Sequence, residues 1–193
     1  MFKKNSFMRF LFGKKKSLTI TIIDFFLSIQ TNKNIRKIIH ECNDYDFNTS
    51  SLYDLWINYK YINKIIKNNI KGDIVECGIW KGISVVFFQK ILDFYKVTNK
   101  NIYGFDTFEG FPEPTERDVT IENISMMDRF NNLKINKNSS NWNNCSFENV
   151  NKNILSSRIN TKNLKLIKGK VENTLTDENN LPNKISILKL DTC

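Results

Sequence analysis

The stretch 72–84, Gly-Asp-Ile-Val-Glu-Cys-Gly-Ile-Trp-Lys-Gly-Ile-Ser, constrains the fold more than any other part of this 193-residue chain. Ile74 and the valine after it are β-branched and predict a short buried strand. Gly78 and Gly82 supply backbone without a side chain, where a neighbouring group can approach closely. Ser84 begins a predicted helix, whose free N–H groups favour a polar or anionic ligand. The pattern indicates a strand–turn–helix unit opening a cofactor crevice; an ordinary βα turn is the alternative.

Short apolar runs predict three further strands, at 101–106, 164–168 and 185–190. Helices are predicted at 51–69 and 146–155, because apolar residues recur there every three or four positions. Ser51 and Asp54 form a capping-box variant at the start of the first of these helices. Strands that alternate with helices predict an α/β fold with a doubly wound parallel sheet.

The sequence divides into two predicted regions, with a long irregular segment inside the second. Residues 1–50 are predicted to form a basic N-terminal extension with helices, polar and turn-like at 41–50, and residues 51–193 to form the main domain. The irregular segment 113–145 is longer than most loops of a compact domain, which indicates a lid. A short helix is predicted within it, at about 121–133.

Positive charge is concentrated at the N-terminus. The chain carries a net charge of +9, and residues 1–40 hold nine Lys or Arg side chains against one Asp. The rest of the chain is nearly neutral, so no nucleic-acid-binding face is predicted there. The basic segment, with its interleaved phenylalanines, is interpreted as a solvated tail; peripheral contact with an anionic membrane surface is the alternative. No apolar run has the roughly 18 residues that a membrane-spanning helix needs.

Cysteine usage indicates a cytoplasmic protein without a metal or disulfide framework. The four cysteines, at 42, 77, 145 and 193, show no Cys-x-x-Cys spacing, and His40 is the single histidine. This pattern disfavours a zinc site, a set of disulfides, and catalysis by a Ser–His or Cys–His pair.

Acidic residues end two of the predicted strands. Asp106 closes the strand 101–106, and Glu76 lies near the end of the strand that opens the stretch 72–84. Ligands of parallel α/β sheets bind beyond the carboxyl ends of the strands. Asp106 can therefore accept hydrogen bonds from both ribose hydroxyls of a nucleoside cofactor; a simple turn cap is the alternative.

Four ordered segments carry a family resemblance: 72–84, 106–114 (Asp-Thr-Phe-Glu-Gly-Phe-Pro-Glu-Pro), 167–175 (Ile-Lys-Gly-Lys-Val-Glu-Asn-Thr-Leu) and 188–192 (Leu-Lys-Leu-Asp-Thr). In order and spacing the chain resembles the macrocin O-methyltransferase (TylF-type) family over about residues 50–192. The resemblance implies a Rossmann-like class I methyltransferase sheet that binds S-adenosylmethionine (SAM). It also implies magnesium-assisted transfer of a methyl group to a sugar hydroxyl of a glycoside, polysaccharide or nucleotide sugar.

The resemblance assigns the cofactor site residue by residue. The amino-acid end of SAM is assigned to Glu76, Gly78, Gly82 and Ser84, and its ribose to Asp106. The wall of the nucleoside site is assigned to Thr107, Phe108 and Glu109. The adenine side is assigned to Gly169. Asp191 matches the first carboxylate of the family's Asp-x-Asp metal pattern. The second Asp, the expected base, falls at Cys193, so no catalytic residue is assigned.

The departure at Cys193 gives two further expectations. About four of the family's seven strands are predicted, so the sheet is expected to be incomplete and the chain to be a truncated form without catalytic competence. The alternative to a sugar O-methyltransferase is a non-catalytic SAM-binding or interaction protein. Expected partners are a small-molecule or glycan acceptor and, because the sheet is incomplete, a second copy or a complementing C-terminal fragment.

Overall fold

The computed structural model describes residues 29–120 and 125–192, and its centre is a four-stranded parallel sheet in the order β5-β2-β1-β6. The strands of this sheet are β1 (Asp73–Cys77), β2 (Ile102–Asp106), β5 (Leu164–Lys168) and β6 (Ile185–Leu190). A separate antiparallel pair consists of β3 (Lys134–Asn136) and β4 (Ser139–Ser140). The helices are α1 (Lys33–Asp44), α2 (Leu52–Lys67), α3 (Ile83–Phe94), α4 (Met127–Leu133), α5 (Phe147–Ser156) and α6 (Val171–Thr174). The predicted α/β fold with a parallel sheet is confirmed.

One face of the sheet carries the main core. Ile74 and Ile102 pair in register across β1 and β2, and both are fully buried beneath α1, α2, α3 and α5. Helix α2 begins where the capping box predicts, with the Ser51 hydroxyl accepting from the Asp54 N–H and the Asp54 carboxylate accepting from the Ser51 N–H. This cap orients α2 as it leads into β1.

Helix α1 extends further than the sequence predicts. The segment 41–50 is predicted to be polar and turn-like, yet the helix continues to Asp44. Ile35, Ile39 and Cys42 are all fully buried in the core shared with α2 and α3, and this apolar face holds the extra turn in helical form. A domain division at residue 50 stays a prediction. Predictions for residues 1–28 and 121–124 lie outside the described residues.

The described parts of the segment 113–145, which are 113–120 and 125–145, fold over the carboxyl ends of the strands. Its helix α4 is anchored by the fully buried Phe130, and the short β3–β4 pair follows it. Ser140 is also fully buried, and its hydroxyl donates to the Phe111 carbonyl at 2.7 Å. The segment is therefore a structured cover.

The second face of the sheet is thinly covered. Val75 and Cys77 are buried there, but their register partners on β6, Leu188 and Leu190, are 54% and 68% exposed. Strand β6 is also an edge strand of this sheet. No helix in the described part of the chain is both long and apolar enough to cross a membrane.

Candidate functional site

The strand ends and the 113–145 segment enclose a cavity of about 520 Å³. Gly78, Asp106, Gly169 and Asp191 border it from the carboxyl ends of the four strands, and Trp142 borders it from the cover. A second, larger cavity of about 970 Å³ lies beside it, between α2 and β6. The first position is the one at which parallel α/β sheets bind their ligands.

Asp106 joins the loop that follows β1 to the loop that follows β2. Its Oδ2 accepts from the Trp80 N–H at 2.8 Å, and its Oδ1 accepts from the Phe108 N–H at 2.8 Å. The carboxylate therefore does cap a turn, which was the alternative to ribose binding. Each carboxylate oxygen has a second acceptor position, so this capping role leaves Asp106 able to accept from a ligand.

Glu76 belongs to a buried charged cluster. The Ser84 hydroxyl lies 2.5 and 2.6 Å from its two carboxylate oxygens, and the Lys189 ammonium lies 2.6 Å from Oε1. Lys189 also contacts Asp191 Oδ2 at 3.3 Å. Burial raises the pKa of Glu76 above its ordinary value, while Lys189 and Ser84 oppose that rise. Glu76 and Ser84 border the larger cavity, with no part in the smaller one.

The two predicted turn glycines are close to protein groups. A Cβ on Gly78 would lie 2.8 Å from the Asp191 carbonyl carbon and closer still to its oxygen. A Cβ on Gly82 would lie 3.3 Å from Val150 Cγ1 on α5. The close approach predicted from these glycines is therefore made by Asp191, directly after β6, and by α5. Their assignment to the cofactor stays a prediction.

The three residues of the predicted nucleoside wall lie in three different environments. Thr107 borders the 520 Å³ cavity. Phe108 is 3% exposed and packs edge-on against Phe147, with ring centroids 5.1 Å apart, so it belongs to the core. Glu109 pairs with Lys168 at 3.0 Å and borders a shallower hollow of about 340 Å³, to which Gly169 also contributes.

Trp80 is a site residue that the sequence interpretation missed. It has a positive φ of 45°, which is uncommon for a bulky residue and is typical of strained functional loops. It borders both cavities, and its indole N–H is buried without a hydrogen-bond partner among the described residues. A large aromatic residue between two turn glycines was the signal that could have identified it.

The described residues fit a nucleoside cofactor better than a metal. An acid at the end of β2, a cavity beyond the strand ends and an unpaired indole donor suit a ligand such as SAM. Within residues 29–120 and 125–192, no group of three or more His, Cys, Asp or Glu side chains could hold a metal ion. Asp191 instead contacts the Lys189 ammonium, so these residues alone do not fit Mg²⁺, which prefers several oxygen ligands.

The described cysteines are not placed for nucleophilic catalysis. Cys42 is fully buried in the core, and burial raises its pKa to about 12. Burial also raises the pKa values of Cys77 and Cys145. These thiols stay protonated at neutral pH, when the thiolate would be the nucleophile.

Comparison with known proteins gives one family and several relatives. The model of the macrocin-O-methyltransferase (TylF) family matches residues 58–192. A mycinamicin III 3''-O-methyltransferase from Micromonospora griseorubida is 27% identical over 70 residues, covering 36% of this chain and 28% of that protein. A demethyldecarbamoylnovobiocin O-methyltransferase from Streptomyces niveus is 33% identical over 55 residues, covering 28% of this chain and 21% of that protein.

A solved structure supports the fold. The O-methyltransferase NovP superposes with a TM-score of 0.60 at 20% identity, covering 80% of this chain and 61% of that chain. The chain thus matches less than two thirds of the length of each of these relatives.

Proposed function

The chain belongs to the macrocin O-methyltransferase (TylF) family, and on this premise we propose that it provides the SAM-binding part of a methyltransferase that acts on a sugar hydroxyl. The cavity at the ends of β1, β2, β5 and β6, with Asp106 on its border, is the observation that carries the proposal. SAM would supply a methyl group already activated on its sulfonium. The protein's task is then to hold cofactor and acceptor in line.

The predicted site residues, together with Trp80, have proposed roles in holding the cofactor or in shaping the loops around it. Asp106 accepts from the ribose hydroxyls, and Gly169 lines the adenine side. Trp80 offers its unpaired indole N–H to an acceptor atom of the bound molecule. Glu76 and Ser84 support the amino-acid end from beneath, while Thr107 contributes to the nucleoside wall. Gly78, Gly82, Phe108 and Glu109 act by packing and by loop position.

Magnesium assistance is proposed only for a longer polypeptide. Asp191 would be one ligand, and the other carboxylates would have to come from outside the described residues. The expected base position is Cys193, which also lies outside them. A proton-transfer step is therefore not proposed for the residues described here.

Peripheral membrane contact through residues 1–40, in an otherwise cytoplasmic protein, rests on the charge of that segment alone.

Replacing Asp106 with asparagine is expected to weaken SAM binding roughly tenfold to hundredfold, because the substitution removes a charged acceptor for the ribose. Isothermal titration of the full chain with SAM measures the effect. Asp177→Asn is the matched control, since Asp177 also caps a turn through its carboxylate but borders neither cavity. Thermal melting of each variant distinguishes loss of the ligand contact from loss of the fold.

The outcomes of this titration are decisive. A wild-type chain that does not bind SAM would contradict the proposal for this chain. Binding that survives Asp106→Asn unchanged would contradict the ribose assignment. SAM binding without methyl transfer to sugar acceptors would favour the alternative, a non-catalytic SAM-binding protein.

We also propose that the exposed second face of β6 associates with a second copy of this chain. Leu188 and Leu190 lie side by side on this face, next to a strand edge that pairs with no other strand of the described residues. Exposed apolar edge strands tend to pair with other chains. The double variant Leu188→Lys/Leu190→Lys is therefore expected to be monomeric where the wild-type chain is dimeric or larger.

Sedimentation velocity over a range of protein concentrations measures this association. Ile135→Lys is the control, because Ile135 is 56% exposed on β3 and away from the sheet face. A wild-type chain that stays monomeric at high concentration, or a double variant that associates as before, would contradict the proposal.

A further inference from the structure

Three residues form a border on the covered side of the 520 Å³ cavity, and we call them the aromatic–arginine rim: Phe111, Arg129 and Trp142. The Phe111 and Trp142 rings meet edge to face, with centroids 4.9 Å apart and planes at 75°. The Arg129 guanidinium carbon lies 4.5 Å from the Trp142 ring centroid. The rim therefore presents two aromatic surfaces and one cation to the cavity that also contains Asp106.

The aromatic pair is held by backbone contacts. The Phe111 N–H donates to the Trp142 carbonyl at 3.1 Å, and the Ser140 hydroxyl donates to the Phe111 carbonyl at 2.7 Å. Gly110, with φ of 74°, allows this approach, since a Cβ there would collide with the Ser140 and Trp142 carbonyl oxygens. The rings are thus oriented before any ligand arrives, which lowers the entropic cost of binding.

Arg129 has no ion pair or hydrogen bond with the other described residues; its contact there is the cation–π stacking on Trp142. This contact holds the guanidinium beside the indole ring, and its N–H donors have no acceptor among the other described residues, which suits bidentate recognition of phosphate or carboxylate. Lys170 also borders the cavity, and its ammonium lies 3.5 Å from Asn138 Oδ1. Glu172, Asp106 and Asp191 are the acids of the same border.

We propose that the aromatic–arginine rim is the acceptor site and that the acceptor is a sugar carrying a phosphate group. This inference rests on the proposed function. The aromatic surfaces pack against the sugar ring, and Arg129 binds the phosphate, which places the sugar hydroxyls in the cavity beside the strand ends. Aromatic walls with a few placed polar groups are the usual composition of a small-molecule site. A neutral glycoside would leave the guanidinium N–H groups of Arg129 without a charged acceptor from the ligand or from the other described residues.

Equilibrium dialysis of the full chain against three probes tests the ligand class: glucose 1-phosphate, methyl α-glucoside and inorganic phosphate. Glucose 1-phosphate is expected to bind more tightly than either of the others, because only it engages both the rings and the guanidinium. Equal binding of methyl α-glucoside would overturn the role of the charge. Equal binding of inorganic phosphate would overturn the role of the sugar, and absence of binding by all three probes would overturn the whole inference.

Variants assign the effect to Arg129. Arg129→Gln is expected to weaken binding of glucose 1-phosphate roughly tenfold to hundredfold, and Arg129→Lys to have an intermediate effect, because lysine keeps the charge but loses the planar pair of donors. The matched control is Arg117→Gln, an exposed arginine of the same segment that borders neither cavity. Arg117→Gln is expected to bind both SAM and glucose 1-phosphate as the wild type does.

The two proposals fail separately. A chain that binds SAM but whose affinity for glucose 1-phosphate is unchanged in Arg129→Gln overturns the rim and leaves the proposed function intact. A chain that binds glucose 1-phosphate through Arg129 but does not bind SAM overturns the proposed function and leaves the rim as a site for sugar phosphates.

Discussion

Replacing Lys189 with methionine is expected to lower the free energy of unfolding by about 3 kcal/mol, because it leaves the buried Glu76 carboxylate without its counter-charge. Glu76 is 1% exposed, and Lys189 is its one salt-bridge partner among the described residues. The figure lies at the low end of the range for broken buried pairs, since Ser84 still donates to Glu76 and the carboxylate can take up a proton. Urea unfolding measures the difference.

The loss of stability in Lys189→Met is expected to grow with pH. Without Lys189, burial and the nearby Asp191 raise the pKa of Glu76 and only the Ser84 hydrogen bond opposes them, so its folded-state pKa rises further above the ordinary value. The folded state then binds more protons than the unfolded state, and stability declines as pH rises from the unfolded pKa through the folded one. Unfolding at pH 5 and at pH 8, at equal ionic strength, should show the larger deficit at pH 8.

Two further variants isolate the cause. The double variant Glu76→Gln/Lys189→Met is expected to recover much of the lost stability, because a neutral amide costs less to bury than an unpaired charge. Lys168→Met removes the partner of Glu109 in an exposed pair and should change stability by less than about 1 kcal/mol. Equal losses in Lys189→Met and Lys168→Met would refute the buried-pair argument.

Local patterns in the sequence predict the strands and most helices well. A short apolar run predicts the strand 185–190, and periodicity with capping predicts the helix that begins after Ser51; each of these signals is set by neighbours in the chain. The extension of α1 to Asp44 was also predictable, since Ile35, Ile39 and Cys42 follow helical spacing. The polar side chains around Cys42 favour a turn, but the buried apolar face keeps these residues helical.

Contacts between distant strands could not be predicted in the same way. Glu76 meets Lys189 only because β6 lies beside β1, and 113 residues separate the two side chains. The rim likewise depends on how the 113–145 segment folds back toward Phe111. Residue types around Asp106 indicate a ligand site. That its carboxylate also caps two loops depends on how the fold brings Trp80 and Phe108 to it.

Gly78→Ala is expected to cost about 3 kcal/mol or more, whereas Gly82→Ala should cost only about 1–2 kcal/mol. Both glycines have φ near 85°, so both alanines carry similar backbone strain. A Cβ on Gly78 would collide with the rigid Asp191 carbonyl, while a Cβ on Gly82 would meet the movable Val150 side chain at 3.3 Å. Denaturant unfolding of the two variants therefore measures the cost of separating the end of β1 from β6.

Hydrogen exchange shows which part of the structure Gly78→Ala destabilises. The Asp191 N–H donates to the Cys77 carbonyl at 2.9 Å, so Gly78→Ala should accelerate exchange at Asp191 more than Gly82→Ala does. The same clash would move Asp191 relative to the cavity and to Lys189, so weaker SAM binding should accompany faster exchange. If Gly78→Ala and Gly82→Ala lose equal stability and exchange at Asp191 alike, backbone strain alone accounts for the glycine at 78, and the close packing of β6 on the turn does not limit this site.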